Sequence, residues 1–243
     1  MNKIKRYYFK EIDSTNEFAK KISKETSQDI LIVSEKQTAG KGRMGRSFYS
    51  PEGGIYMSLL LHPDTTKNPL DITVMASVAV SGTIESLLGV KAYIKWVNDI
   101  YVDNKKVCGI LTEGSFNTEK KAFDYAVLGV GINLFRPKGG FPDDIKSIAG
   151  SLTETGKAGL KERLIDVFLE NFFEIYNGGR DYMTEYKARS NVLGKNIEYI
   201  KNGIKYKAKA VDILNSGELL VETENGMQTL NSGEIKICTE SII

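Results

Sequence analysis

Apolar residues fall in two rhythms along this chain: short runs of strand length, and longer stripes at the spacing of a helix face. Asp29 to Glu35 and Ile55 to Leu61 read as short, largely buried strands. From Leu70 to Leu88, Ile72, Met75, Ala76, Ala79, Val80, Ile84 and Leu87 recur at helical spacing, and the small residues among them predict close packing on a sheet. Ala92 to Trp96 leads into a turn at Val97-Asn98-Asp99. A strand from Ile100 to Val102, a tight turn at Asp103-Asn104-Lys105 and a strand from Lys106 to Glu113 then predict a hairpin. Another strand follows over Phe123 to Leu134. After a loop from Pro137 to Pro142, a helix is expected from about Lys157 to Tyr176, with Leu160, Leu164, Val167, Phe168, Phe172 and Ile175 on one face, and a shorter one over Asp181 to Arg189. Near the start, Asp13-Ser14-Thr15-Asn16-Glu17 has Ser14 and Glu17 at capping-box spacing, with Phe18 and Ile22 on one helical face.

From Val192 the texture changes to short alternating runs broken at Asn202-Gly203, Asn215-Ser216-Gly217, Asn225-Gly226 and Ser232-Gly233. That spacing predicts a small antiparallel barrel of about five strands. The expected architecture is α+β, a mixed-sheet domain over 1–190 and the small barrel over 191–243.

Composition narrows the chemistry. Cys108 and Cys238 have no CxxC spacing, and His62 is the single histidine among 243 residues. A disulfide framework, a zinc site and a Ser-His or Cys-His dyad therefore find little support, leaving Lys, Arg, carboxylates and backbone to do the work. A net charge of +2 implies no general affinity for nucleic acid, so any anion site must be local. The basic N-terminal stretch Met1 to Lys10 lacks the apolar core of a signal peptide, and a cytoplasmic protein is expected.

The candidate anion site is Gln37-Thr38-Ala39-Gly40-Lys41-Gly42-Arg43-Met44-Gly45-Arg46. Glycines allow backbone N–H groups to approach an anion, and Lys41, Arg43 and Arg46 bring positive charge to the same place. It lacks the Gly-Lys-Ser/Thr close of a Walker A loop, and no amphipathic helix follows as in a dinucleotide fingerprint. Alone, a Gly/Arg loop of this kind is more often a solvated turn or a nucleic-acid contact than a catalytic cradle.

Taken in order, Ser14-Thr15-Asn16, Gln37 to Arg46, Lys95-Trp96-Val97-Asn98-Asp99, Lys105-Lys106-Val107-Cys108-Gly109-Ile110-Leu111 and Gly129-Val130-Gly131-Ile132-Asn133 closely resemble the biotin protein ligases, the biotin–[acetyl-CoA-carboxylase] ligase family. The resemblance spans nearly the whole chain, the C-terminal barrel included, in the form without an N-terminal DNA-binding domain. It implies the biotin/lipoate ligase fold with an SH3-like C-terminal barrel. It also implies activation of biotin with ATP and Mg2+ to biotinyl-5′-AMP, and transfer to a lysine of a biotin carboxyl carrier protein. No DNA or membrane partner is expected, and either a monomer or a homodimer is compatible.

The residues can be read against that chemistry. Bringing a carboxylate to the α-phosphate of ATP joins two anions, so cations must sit between them. Arg43 can fork phosphate oxygens, the Gly40 and Gly42 amides can line the approach, and Lys106 can bridge carboxylate and phosphate. By resemblance Lys106 is the family's catalytic lysine; Lys105 beside it should point to the opposite face. Biotin's ureido ring calls for short neutral polar groups, which Ser14, Thr15, Asn16 and Gln37 supply, with Gly40, Lys41, Gly42, Arg43 and Lys106 completing the biotin contacts. The resemblance places Arg43, Arg46, Lys95, Asn98 and Asn133 at the nucleotide and Asp99 at Mg2+. Three departures stand out: Val97 replaces a usual proline, Lys41 stands where arginine is common, and Asp212 lies near a usual glycine. Competing readings are a lipoate or octanoyl ligase, a biotin-responsive DNA-binding repressor, and an RNA-binding module that would need exposed aromatics beside the cations.

Overall fold

The computed structural model describes residues 4–63, 67–154, 158–201, 203–233 and 235–238. Met1 to Lys3, the expected helix start at Lys157, Asn202 of the Asn202-Gly203 turn and the last five positions of the expected barrel domain lie outside the described residues. A seven-stranded mixed sheet carries the larger part of the chain, in the order β1-β2-β3-β7-β6-β5-β4. Its strands are β1 (Lys5–Phe9), β2 (Ile30–Ser34), β3 (Ile55–Leu61), β4 (Tyr93–Lys95), β5 (Asp99–Val102), β6 (Lys105–Asn117) and β7 (Ala122–Ile132). Only β1 and β2 run parallel; the remaining neighbours are antiparallel.

Strand alternation divides the apolar residues between the two faces of this sheet. Leu31, Val33, Met57, Leu59, Leu61, Leu128 and Val130 join the main core with α2 (Pro69–Leu88) and α3 (Leu160–Tyr176). Ile30, Ile32, Leu60 and Val127 form a smaller cluster with Ala19, Phe18 and Ile22 of α1 (Thr15–Ile22). Helix α2 starts cleanly because Asn68 and Asp71 form a capping box with Pro69 at the first position, and it stops at Gly89 in the left-handed region. Covered by the sheet, α3 and α4 (Met183–Arg189), it is apolar nearly all round.

The second sheet is antiparallel, in the order β11-β10-β9-β8-β12, formed by β8 (Asn196–Lys201), β9 (Ile204–Ile213), β10 (Leu219–Thr223), β11 (Gly226–Leu230) and β12 (Ile235–Ile237). Its inward residues Ile197, Tyr199, Ala210, Ile213, Leu219 and Val221 belong to the same core as α2 and α3. Apolar packing therefore passes between the two sheets without a break.

Several elements differ from the sequence reading. Strand β1 was not expected because its Lys and Arg positions face water at a sheet edge, hiding the alternation. The hairpin turn is tighter than expected, with only Asp103 and Asn104 at positive φ, so Lys105 already belongs to β6 and Asp99 to β5. Strand β6 continues past Glu113 to Asn117, and α3 begins at Leu160. Against β5, Ile100 pairs with Cys108 but Tyr101 pairs with Lys106, so Val107 is the extra residue of a β-bulge.

Candidate active site

A cavity of about 170 Å³ opens on the α1 side of the large sheet, above β3, β6 and β7. Register explains its floor: Tyr56 and Ser58 of β3 pair with Gly131 and Gly129 of β7, which in turn pair with Gly109 and Leu111 of β6. A Cβ at Gly131 would lie 2.5 Å from the Phe48 ring, one at Gly109 2.9 Å from it, and one at Gly129 within 2.2 Å of Asn16 Oδ1. The three glycines thus let the aromatic ring and the asparagine rest directly on backbone.

One end of the cavity is neutral and polar. Ser14 caps α1 by accepting from the Glu17 N–H at 3.4 Å, which carries Thr15 and Asn16 into the first turn beside the sheet. Gln37 Oε1 accepts from the Thr15 backbone N–H at 2.9 Å and lies 3.0 Å from Thr15 Oγ1, while Gln37 Nε2 donates to Ser50 Oγ at 2.9 Å. Ser58 Oγ lies 2.7 Å from Thr15 Oγ1 and 2.6 Å from Asn16 Oδ1, and Asn16 Nδ2 donates to Glu113 Oε2 at 2.9 Å. Ser14, Thr15, Asn16 and Ser58 are all buried, so the shape of this end is fixed by their bonds.

The other end is cationic. Lys41, Arg43, Arg46, Lys95 and Lys106 line it, and Asp99 is the one carboxylate lining the cavity among the described residues. Lys106 Nζ sits 2.6 Å from Asp99 Oδ1 as an ion pair whose angles are not those of a hydrogen bond. Arg43 Nη1 donates to Asn98 Oδ1 at 3.1 Å, and Asn98 Nδ2 donates to the Ile110 carbonyl at 2.7 Å, so the guanidinium is anchored through the β4–β5 turn to β6. Burial pulls the Arg43 pKa below its ordinary value, with the Asp99 charge opposing the shift. That turn is held from two further sides. Trp96 Nε1 donates to the Gly217 carbonyl in the β9–β10 turn at 2.9 Å, and the buried Tyr186 hydroxyl of α4 donates to the Val97 carbonyl at 2.8 Å. The Trp96–Val97 peptide is cis. Gly233 and Ile235 of the C-terminal part also line the cavity.

Twelve residues expected from the sequence line this one cavity: Ser14, Thr15, Asn16 and Gln37 at the neutral end, and Lys41, Gly42, Arg43, Arg46, Lys95, Asn98, Asp99 and Lys106 around the rest. Two expected residues do not. Gly40 stands behind the wall, where its carbonyl accepts from the Phe48 N–H at 2.8 Å and a Cβ would meet Phe48 O and Ser50 Oγ at 2.5 Å. Asn133 lies beyond the end of β7, its N–H donated to the Val107 carbonyl and its own carbonyl engaged by Leu152. The Gly42 amide is also not offered to a ligand, because it donates to the Arg46 carbonyl at 2.7 Å. Lys105 points away and donates to the Ser147 carbonyl at 2.6 Å. Asp212 pairs with Lys187 of α4 at 2.9 Å, and this bond holds its carboxyl below the usual range.

Sequence reasoning missed Phe48, Tyr56, Ser58 and Glu113. A hydroxyl inside the apolar run Ile55 to Leu61 was the available signal for Ser58. No comparable signal marked Phe48, whose position depends on the glycine floor.

Comparison with known proteins agrees with this geometry. Residues 8–133 match the biotin/lipoate A/B protein ligase family, and residues 192–237 match the biotin protein ligase C-terminal domain. The bifunctional ligase/repressor BirA of Bacillus spizizenii is 34% identical over 93% of this chain and 72% of its own length. The biotin–[acetyl-CoA-carboxylase] ligase of Paracoccus denitrificans is 27% identical over 92% of this chain and 96% of its own. Among solved structures, the biotin protein ligase of Aquifex aeolicus in complex with biotin and ATP superimposes with a TM-score of 0.78 at 28% identity, covering 96% of this chain and 98% of that one. The chain belongs to the biotin/lipoate A/B protein ligase family and is, within it, a biotin protein ligase.

Proposed function

We propose that this ligase converts biotin and ATP to biotinyl-5′-AMP and pyrophosphate, then transfers biotin to a lysine of a biotin carboxyl carrier protein, that of acetyl-CoA carboxylase or a related carboxylase. The observation that carries the reading is one cavity with a neutral, hydrogen-bonded end and a cationic end. The first matches a cyclic urea, and the second a carboxylate meeting a triphosphate.

In the first step a biotin carboxylate oxygen attacks the α-phosphorus, the P–O bond to the β-phosphate breaks, and pyrophosphate leaves. Negative charge accumulates where Lys106 and Arg43 stand. Preorganised cations there stabilise the transition state more than either separated anion. Arg46, Lys95 and Asn98 extend this surface toward the phosphates and nucleoside. In the second step the neutral ε-amine of the carrier lysine attacks the mixed-anhydride carbonyl, AMP leaves with its bonding pair, and the attacking nitrogen gives up a proton to solvent.

Mg2+ binds one or two carboxylates together with substrate phosphates and water. Asp99 suits that arrangement, since the described residues hold no cluster of three or more His, Cys, Asp or Glu that could form an all-protein cage. Held there with ATP, the ion would offset phosphate charge. We place the activity in the cytoplasm and assign it no DNA partner.

Incubating the protein with ATP, Mg2+ and either biotin or lipoate, without a carrier, tests the reading. Biotinyl-5′-AMP detected by mass spectrometry is the expected product, with little or no lipoyl-AMP. A folded protein that makes no biotinyl adenylate, or prefers lipoate, would overturn it.

A further inference from the structure

Glu113 lies outside the cavity lining, yet its carboxylate is joined to two residues of α1. Oε1 accepts from Lys20 Nζ at 2.6 Å and Oε2 accepts from Asn16 Nδ2 at 2.9 Å. Lys20 is also bound to Glu17 at 2.8 Å. Asn16 and Lys20 reach the same carboxylate because residues four apart share a helix face.

A carboxylate accepts hydrogen bonds, and both Glu113 oxygens do so here. Glu113 therefore turns the NH2 of Asn16 toward itself and the carbonyl oxygen toward Ser58. Ser58 has one hydroxyl hydrogen, which goes to Asn16 Oδ1 at 2.6 Å, leaving none for Thr15. The Thr15 hydrogen stays with Ser58 Oγ at 2.7 Å or Gln37 Oε1 at 3.0 Å. The lone pairs of Thr15 Oγ1 thus remain available to the cavity, and Asn16 presents oxygen rather than nitrogen at the Gly129 floor. Both suit the N–H groups of a ureido ring.

We propose that Glu113, held by Lys20, is a positioning residue that sets the direction of hydrogen bonding in the ureido pocket, making its Thr15–Asn16 wall an acceptor surface. The proposal rests on the biotin-ligase reading of this cavity.

Glu113→Gln provides a sharp test because it keeps size and removes charge. The Lys20 ammonium demands an acceptor, so the new amide turns its oxygen to Lys20 and its NH2 to Asn16. Asn16 must then flip, aiming NH2 at Ser58 and the ring. The KM for biotin should rise about tenfold to a hundredfold, the size of a mispaired buried polar contact, with kcat at saturating biotin and the KM for ATP little changed. In the double variant K20M/E113Q nothing holds the amide oxygen, which can turn back to Asn16, and biotin KM should recover most of the loss. A purely structural role predicts that the second substitution adds damage. An unchanged biotin KM in E113Q, or equal impairment of both variants with wild-type melting temperatures, overturns the proposal. Should E113Q not fold, K20M/E113Q is compared with K20M alone: an equal biotin KM in the two supports the proposal, and a higher one in the double variant overturns it. Failure of the wild-type protein to adenylate biotin would instead be failure of the underlying reading.

Discussion

Two adjacent lysines on β6 have opposite fates, and one extra residue decides between them. Counting back in steps of two from Glu113, Leu111 and Gly109 would bring Lys105 to the cavity side. The bulge at Val107 shifts the alternation, so Lys106 meets Asp99 while Lys105 turns to the Ser147 carbonyl. Lys106→Ala should lower single-turnover adenylate formation about a hundredfold to a thousandfold, the usual effect of losing one preorganised contact to developing charge. Lys105→Ala should retain most activity, and a larger loss in Lys105→Ala by quenched-flow measurement would refute the assignment. Most of the polar and charged lining residues were legible in the sequence, because motif order and residue chemistry identified them without coordinates. Gly40 and Asn133 fall outside the cavity lining, a placement set by backbone bonds that are not written in composition: the carbonyl of Gly40 and both backbone groups of Asn133 are committed internally. Glu113 escaped notice because it acts through Asn16.

At the scale of elements, α1 and the cationic loop are tied by charge. Glu17 joins Lys20 within the helix and Lys41 on the loop, each at 2.8 Å. Hydrogen bonds from Lys20 and then Lys41 hold the Glu17 carboxyl below its ordinary value of 4.5. A lowered carboxylate pKa means that this contribution is complete above 4.5 and disappears as pH falls through the folded value. Glu17→Gln should remove it at neutral pH, where tryptic cleavage between Lys41 and Arg46 is expected to quicken about two- to fivefold, in keeping with a partly exposed pair. Equal cleavage rates would show that the tether does not restrain the loop. Biotin and ATP should slow cleavage in both proteins. The major helices and central strands were legible from periodicity, whereas β1 was not, because its charged edge positions mask the strand pattern.

Across the whole molecule, the cavity depends on both sheets. Trp96 lines it while donating to Gly217, Gly233 and Ile235 line it as well, and Lys187–Asp212 joins α4 to β9. Trp96→Phe leaves the Gly217 carbonyl without its donor, a loss of about 1–3 kcal/mol. Thermal denaturation should show the melting temperature falling by about 2–10 °C, with the KM for ATP raised. An unchanged melting temperature would mean that this bond does not join the sheets energetically. The small antiparallel sheet was foreseeable from its regularly spaced turns, but its share in the cavity was not, since contacts between distant segments leave no local pattern.

Beneath Phe48, β6 and β7 meet the cavity as bare backbone at Gly109 and Gly131. Amide planes held in a sheet have no rotamers to surrender, whereas each long side chain immobilised at an interface loses about 0.5–1.5 kcal/mol of free energy. Those backbone positions consequently have no side-chain freedom to lose when a ligand arrives. Entropic loss on binding falls instead on the Lys and Arg side chains of the cationic end, so shape selection and charge neutralisation are thermodynamically separate tasks, assigned to opposite ends of one cavity.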